Sequence, residues 1–167
     1  MTRLRMMMMA AALAACALLG WSCGGPARRV EVESVDSVKP AGWSGLSIWL
    51  TVRNDMRREI VLESCRLVFS GDSGELAGAD LRNPTAVAAR TTSAVRLMFK
   101  VTSVSPSLFR YLWRRVVSGR ADEVWVDVDA VVRIGGRERR ICLRKQQLSK
   151  ILCNFGVAES DFATWAI

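Results

Sequence analysis

The sequence predicts an all-β fold: an immunoglobulin- or fibronectin-III-like antiparallel sandwich of about seven strands, with one inserted helix over residues 105–118. Three observations carry this. Apolar and polar residues alternate with period two through most of residues 30–145. Turn-forming clusters such as Asn54-Asp55, Gly71-Asp72-Ser73-Gly74 and Gly135-Gly136 separate the alternating runs. A single stretch of helical period interrupts them.

The runs follow in order. Val30, Val32, Val35 and Val38 suggest a first strand with one irregularity. Leu46, Ile48, Leu50 and Val52 alternate with Ser47, Trp49, Thr51 and Arg53 as a half-buried strand. Asn54-Asp55 ends it, since both side chains bond to nearby backbone in turns. Residues Glu59–Ser70 read as a third strand in which Val61, Cys65, Leu67 and Phe69 share one parity. Residues 71–74 then close a hairpin. Leu76–Leu81 and Ala86–Ala89 are weaker, short strands around Asn83-Pro84. Val95, Leu97, Phe99 and Val101 form another clear strand, as do Val124, Val126, Val128, Ala130 and Val132. Gly135-Gly136 turns the latter into Arg137–Arg144, where Ile141 and Leu143 lie opposite Arg140, Cys142 and Arg144.

For the helix, Ser105 is a natural N-cap and Pro106 occupies the first helical position, where its missing N–H costs nothing. Leu108, Leu112 and Val116, flanked by Phe109 and Trp113, form its apolar face, and Gly119 supplies the stop. A second short helix is expected over Gln147–Cys153, and a tail follows over residues 156–167 with Phe162 and Trp165.

Ahead of this domain lies a segment of different character. Thr2-Arg3-Leu4-Arg5 is positive, Met6–Gly20 is an apolar run without charge, and Trp21-Ser22-Cys23-Gly24-Gly25 turns small and polar. This is the three-part pattern of an export signal. The run of about fifteen residues falls short of the roughly twenty needed to cross a bilayer as a helix, so a cleaved signal is expected rather than a permanent span. A cysteine at the cut implies lipidation, because its thiol takes the diacylglyceryl group. Cys23 is the expected site and Cys16, in Leu13-Ala14-Ala15-Cys16, the alternative. Cleavage at Cys16 would leave apolar Ala17-Leu18-Leu19 at the new terminus, whereas cleavage at Cys23 leaves Gly24-Gly25-Pro26 as a flexible tether. The expected organisation is a signal over residues 1–22, lipidated cysteine and tether over 23–29, the β domain over 30–155 and the tail. The expected address is the bacterial cell envelope, facing the periplasm or the surface.

Loss of residues 1–22 from the 167-residue chain leaves 145 residues, enough for one domain with its own core, and lowers the net charge from +8 to +6. The basic residues are scattered except over Arg137–Lys145. Nucleic acid is not an expected partner, since no aromatic stacking motif accompanies that run. A solvated strand face is the expected reading of that run; of the binding readings, anionic lipid headgroups are the better candidate, given a domain tethered beside them. The chain has no histidine, which removes the usual zinc sites and every Ser–His or Cys–His pair. Cys65, Cys142 and Cys153 are an odd number with no Cys-x-x-Cys spacing; buried free thiols are expected, a Cys142–Cys153 bridge being the alternative.

Three residues are the candidate binding positions. Asp127 and Asp129 share one strand face and could hold a cation or do acid–base work, or pair with neighbouring arginines such as Arg140 or Arg144. Glu31 and Glu33 admit the same two readings. Trp49, on the polar face of its strand, marks a carbohydrate or partner surface, or is covered by Phe162 and Trp165 of the tail. No catalytic set, metal site or cofactor is expected.

The order of these features resembles the late-embryogenesis-abundant group-two domain, also called the water-stress and hypersensitive-response (WHy) domain, which also occurs in bacterial lipoproteins. The resemblance covers residues 30–155. It rests on Leu46-Ser47-Ile48-Trp49-Leu50-Thr51-Val52-Arg53-Asn54, on Ile60-Val61-Leu62 and Leu67-Val68-Phe69, and on Gly74-Glu75-Leu76-Ala77. The helix and the Val124–Val132 strand follow in the same order. Asn54 matches the first position of the family's Asn-Pro-Asn, and Asp55-Met56 stand in place of the rest. The resemblance implies a β-sandwich with a binding or protective, stress-related role and carries over no catalytic residues. The chain is thus expected to be a non-enzymatic envelope lipoprotein that binds or shields an envelope protein or glycan, with a glycan- or peptide-binding accessory module as the alternative.

Overall fold

The structure, a computed structural model, describes residues 30–41, 45–104 and 121–150. The signal segment, Cys16, Cys23, the tether, Trp43, the helix expected over 105–118, Cys153 and the tail lie outside the described residues. Eight strands make up nearly all of the rest: β1 Val30–Pro40, β2 Gly45–Asn54, β3 Ile60–Gly71, β4 Gly74–Leu81, β5 Thr85–Val87, β6 Thr91–Val104, β7 Trp125–Ile134 and β8 Arg137–Gln147. A short 3₁₀ turn, Ala121–Glu123, precedes β7, and residues 148–150 are helical.

Among the described residues every strand pairing is antiparallel. Hydrogen bonds join the strands in the order β1, β2, β6, β4, β3, β7, β8, with β5 against the start of β3. The alternation predicts strands and faces correctly. The pairing runs unbroken through β4 and β6 as one sheet that curls around a single core. Side-chain period says which face a residue serves, not which strand lies beside it.

The core draws on both arms of the curl. Ile48, Leu50 and Val52 from β2, Leu97 and Phe99 from β6, Leu67 from β3 and Val126 and Val128 from β7 are all fully buried in one cluster. Burying a side chain of this size contributes about 1.5–3 kcal/mol. Ile141 and Leu143 of β8 pack against the cluster from the edge.

Among the described residues six register shifts interrupt the pairing, and β2–β6 and β3–β5 are the ladders without one. A bulge adds one residue to one strand, raises the twist and exchanges the two faces. On β3 the extra residue is Glu63: Leu62 pairs with Val132, and Ser64 with Val131. Before it, Ile60 and Leu62 reach the core; after it, Cys65, Leu67 and Phe69 do. Val61, expected on the same face as Cys65, is buried but lies outside the core cluster, because the bulge breaks that parity. On β1 two bulges, at Glu33 and Asp36, replace the single irregularity expected; they keep Val32, Val35 and Val38 opposite Val52, Leu50 and Ile48.

Glycine is dictated by the backbone at two turns. A Cβ on Gly45 would stand 1.9 Å from the Ala41 carbonyl oxygen, where the chain turns from β1 into β2. Gly135 and Gly136 both take positive φ (54° and 83°), as a two-residue hairpin of the I′ type requires.

β2 ends on Asn54, which is 0% exposed. Its Nδ2 donates to the carbonyl oxygens of Arg58 (3.1 Å), Val87 (3.2 Å) and Ala88 (3.0 Å), and its Oδ1 accepts the Met56 N–H at 3.0 Å. The last bond is the local Asx turn; the first three tie the β2–β3 connection to the end of β5. Replacing Asn54 by Leu, which is similar in volume, or by Asp, which sets a carboxylate against three carbonyl oxygens, is expected to lower stability by at least about 3 kcal/mol, since several buried groups lose their partner together. Urea unfolding with an unchanged slope measures this; a loss under about 1 kcal/mol would contradict the role given to Asn54.

Candidate functional site

The pairing places a row of ionisable side chains across the outer face of five strands. Lys100 on β6 pairs with Asp80 on β4, Asp80 with Arg66 on β3, Arg66 with Asp129 on β7, and Asp129 with Cys142 on β8. Opposite charges directly across neighbouring strands attract. A shallow groove of about 170 Å³ runs along the row, lined by Ser64, Arg66, Asp80, Asp129 and Arg140 among others.

Asp129 is the most heavily engaged member. The Cys142 thiol and the Arg144 guanidinium hydrogen-bond its carboxylate, Arg144 Nη2 lies 2.9 Å away, and Arg140 Nη2 stands at 4.0 Å. The Cys142 hydrogen bond first, and then Arg144 and Arg140, hold this carboxyl below the usual Asp value. Asp127 is occupied differently. The β7–β8 bulge sets Arg144 and Lys145 against this one residue, Lys145 takes φ 49°, and the Lys145 N–H donates to Asp127 Oδ1 at 2.7 Å. Both sequence candidates therefore sit on one outer face, and both are engaged with β8.

The same device recurs elsewhere. Glu63, the bulged residue of β3, accepts from Arg133 Nε at 2.6 Å. Glu33, bulged on β1, accepts from Arg53 at 3.2 Å, and Arg53 also binds Glu31 and Asp55. Asp36, the second bulge of β1, accepts from Ser34 and from Thr51 (2.8 Å); these two hydroxyls lower its pKa. Exposed pairs of this kind contribute about 0–1 kcal/mol each, so they select register more than they stabilise.

The thiols differ sharply. Cys65 is 2% exposed, and burial first, with Asp80 and Asp129 adding to it, pushes its pKa up to about 12. A thiol so far from ionisation is a poor nucleophile. Cys142 is a free, exposed thiol, which corrects the expectation of a buried one; edge strand β8 turns it to the outer face. Among the described residues no three His, Cys, Asp or Glu side chains converge to hold a metal ion, and no helix is long and apolar enough to cross a membrane.

Trp49 is 38% exposed on the outer face of β2, as its parity predicts. Arg96, directly opposite on β6, places its guanidinium 5.5 Å from the ring centroid and donates through Nε to Ser47 Oγ at 2.6 Å. One face of the indole is thus taken by a cation–π contact. Arg96, Arg66 and Asp80 were not legible as neighbours of the predicted site residues, because their contacts follow from pairings distant in sequence.

No protein-family profile and no curated protein matches this chain. Solved structures similar to it include a protein from Archaeoglobus fulgidus (18% identity, 70% of this chain and 98% of the other, TM-score 0.38). A candidate late embryogenesis abundant (LEA) protein, At2g46140.1, is similar at 10% identity over 87% of this chain and 89% of its own, TM-score 0.38. The structural-genomics target SoR45 is similar at 11% identity over 71% and 83%, TM-score 0.33.

Two outcomes follow from the site. A carboxyl whose folded pKa is depressed contributes stability that is full above the unfolded value and is lost as pH falls through the folded one. Asp129→Asn should therefore cost stability at neutral pH and remove part of the loss seen below about pH 4, read from urea midpoints across that range. An unchanged acid limb would contradict the coupling to β8. A maleimide added to the folded protein should label Cys142, with Cys65 labelled only in denaturant, as located by peptide mass; the reverse order would contradict the assigned environments.

Proposed function

We propose that the chain is a membrane-anchored envelope lipoprotein whose β domain is non-catalytic and binds or shields another envelope component, in a protective role of the LEA/WHy kind. The observation that carries the non-catalytic part is the engagement of Asp127 and Asp129. The first accepts a bulge amide; the second is held ionised by Cys142, Arg144 and Arg140, which leaves it unsuited to proton transfer near neutral pH. The anchor rests on the charged start, apolar run and Cys23 of the sequence. The LEA/WHy reading rests on the Leu46–Asn54 segment, whose final Asn54 serves as a buried connector. We read the two arms of the curled sheet, β2 with β6 and β3 with β7, as the counterparts of the two layers of an immunoglobulin-type sandwich, since both line one core.

A second reading, a glycan- or peptide-binding module, is favoured by the exposed indole of Trp49. Arg96 narrows it, because only the other ring face and the edge remain for a ligand.

Labelled palmitate and membrane fractionation test the anchor. Cys23→Ser should abolish label and release the protein, while Cys16→Ser should leave both unchanged; retention in both variants would defeat the lipoprotein reading. Iodide quenching compared between the parent and Trp49→Phe tests the alternative. A lost accessible component is expected if the ring is open to ligand, and identical quenching removes that reading.

A further inference from the structure

Five arginines that the site does not use gather at one end of the sheet. Arg57 and Arg58 lie between β2 and β3, Arg90 between β5 and β6, and Arg137 and Arg139 just after the β7–β8 turn; all are exposed. The backbone ties these segments together. The Arg90 N–H donates to the Met56 carbonyl at 3.0 Å, the Gly135 N–H donates to the Glu59 carbonyl at 3.3 Å, and Asn54 holds the carbonyls of Arg58 and Ala88. A Cβ on Gly135 would stand 2.4 Å from Arg58 Cδ, so the Arg58 side chain lies against the β7–β8 turn. None of the five forms an ion pair among the described residues. Arg90 also holds φ 52°, a conformation that glycine adopts at lower cost.

Carboxylates share this end. Glu59 and Glu138 stand among the arginines, while Glu31, Glu33 and Asp55 are gathered around Arg53 on the β1 side. The positive excess therefore falls toward β8, which leaves the turn as Arg137-Glu138-Arg139, two cations to one acid. β1, at the opposite edge, carries Glu31, Glu33 and Asp36 against Lys39. Val30, the first described residue, pairs with Asn54, so the chain toward residue 29 departs from this same arginine-bearing end.

We propose that Arg57, Arg58, Arg90, Arg137 and Arg139 form a docking surface for anionic phospholipid headgroups. The surface seats the domain end-on against the membrane that its N-terminal segment reaches. The choice of a lipid partner rests on the anchored reading above; the clustering of the arginines does not. Juxtamembrane cations each strengthen attachment to an anionic leaflet, and paired edge charges on a bulged strand also oppose edge-to-edge stacking of copies.

The purified full chain is partitioned between buffer and vesicles of phosphatidylcholine alone or with a quarter phosphatidylglycerol. The neutral vesicles read attachment through the apolar segment, and the difference reads the arginines. A preference for the anionic vesicles is expected. It should fall roughly five-fold for each arginine changed to alanine, roughly 30-fold for Arg57→Ala with Arg58→Ala or for Arg137→Ala with Arg139→Ala, and it should vanish as salt rises from about 0.1 M to about 1 M. Arg82→Ala with Lys100→Ala, on the outer face away from this end, should leave it unchanged, and circular dichroism should report intact β structure throughout. Equal partition to both vesicles, or an equal drop in the Arg82/Lys100 control, overturns the proposal, as does a change in sedimentation without a change in lipid preference, which would assign the arginines to contact between copies. A chain that carries no lipid yet prefers anionic vesicles through these arginines retains the docking surface and removes only the anchor.

Discussion

A curled sheet with a single core has one inner face, and every strand must keep apolar side chains on it while the curl forces the pairing to slip. The bulges reconcile the two demands. At Glu63 the inward set changes from Ile60 and Leu62 to Cys65, Leu67 and Phe69 without a polar residue entering the core. On β4 the extra residue is Leu76, itself buried beside Ala77, so the slip there adds to the core. The price is paid on the outer face, where Glu33, Asp36, Glu63 and the Arg144-Lys145 pair each need a partner and find one on the adjoining strand. A slip of one residue in any of these pairings would both invert the faces and separate those partners.

The same constraint determines what the charged surface can do. The carboxylates of Glu33, Asp36, Glu63, Asp127 and Asp129 are committed to register, and five arginines without an ion pair among the described residues lie at the end where the strands are tied by Asn54. Asn54 joins β2 to the loop before β3 and to the end of β5 through four hydrogen bonds from one buried carboxamide. The exposed arginines on those loops are held in place by a buried polar group rather than by ion pairs.

Much of this was legible from residue order, and the illegible part has a common cause. Ile48-Leu50-Val52, Val95-Leu97-Phe99 and Val126-Val128-Ala130 alternate so regularly that strand and inner face follow at once, and all line the core. Arg140 and Arg144 were legible as partners of Asp129, since a hairpin across Gly135-Gly136 puts them on the neighbouring strand. The row from Lys100 through Asp80 and Arg66 to Asp129 was not, because its members meet only through pairings that are distant in sequence. Nor was the contact of Arg96 with Trp49, nor the loss of parity after Leu62, since a charged residue within a strand reads the same whether it is bulged or paired. The continuity of the sheet through the β4–β6 ladder was likewise not legible, because alternation gives each strand's faces and not its neighbours.

That ladder can be observed directly. Cross-strand proton contacts measured by NMR should trace one unbroken path from β1 through β2, β6, β4, β3 and β7 to β8. The path should include Ala79 with Val101 and Arg66 with Asp80, and should pass from Leu62–Val132 to Cys65–Ala130 with Glu63 skipped. Two separate networks, with no contact between β4 and β6 and with Glu63 paired in register, would contradict the account.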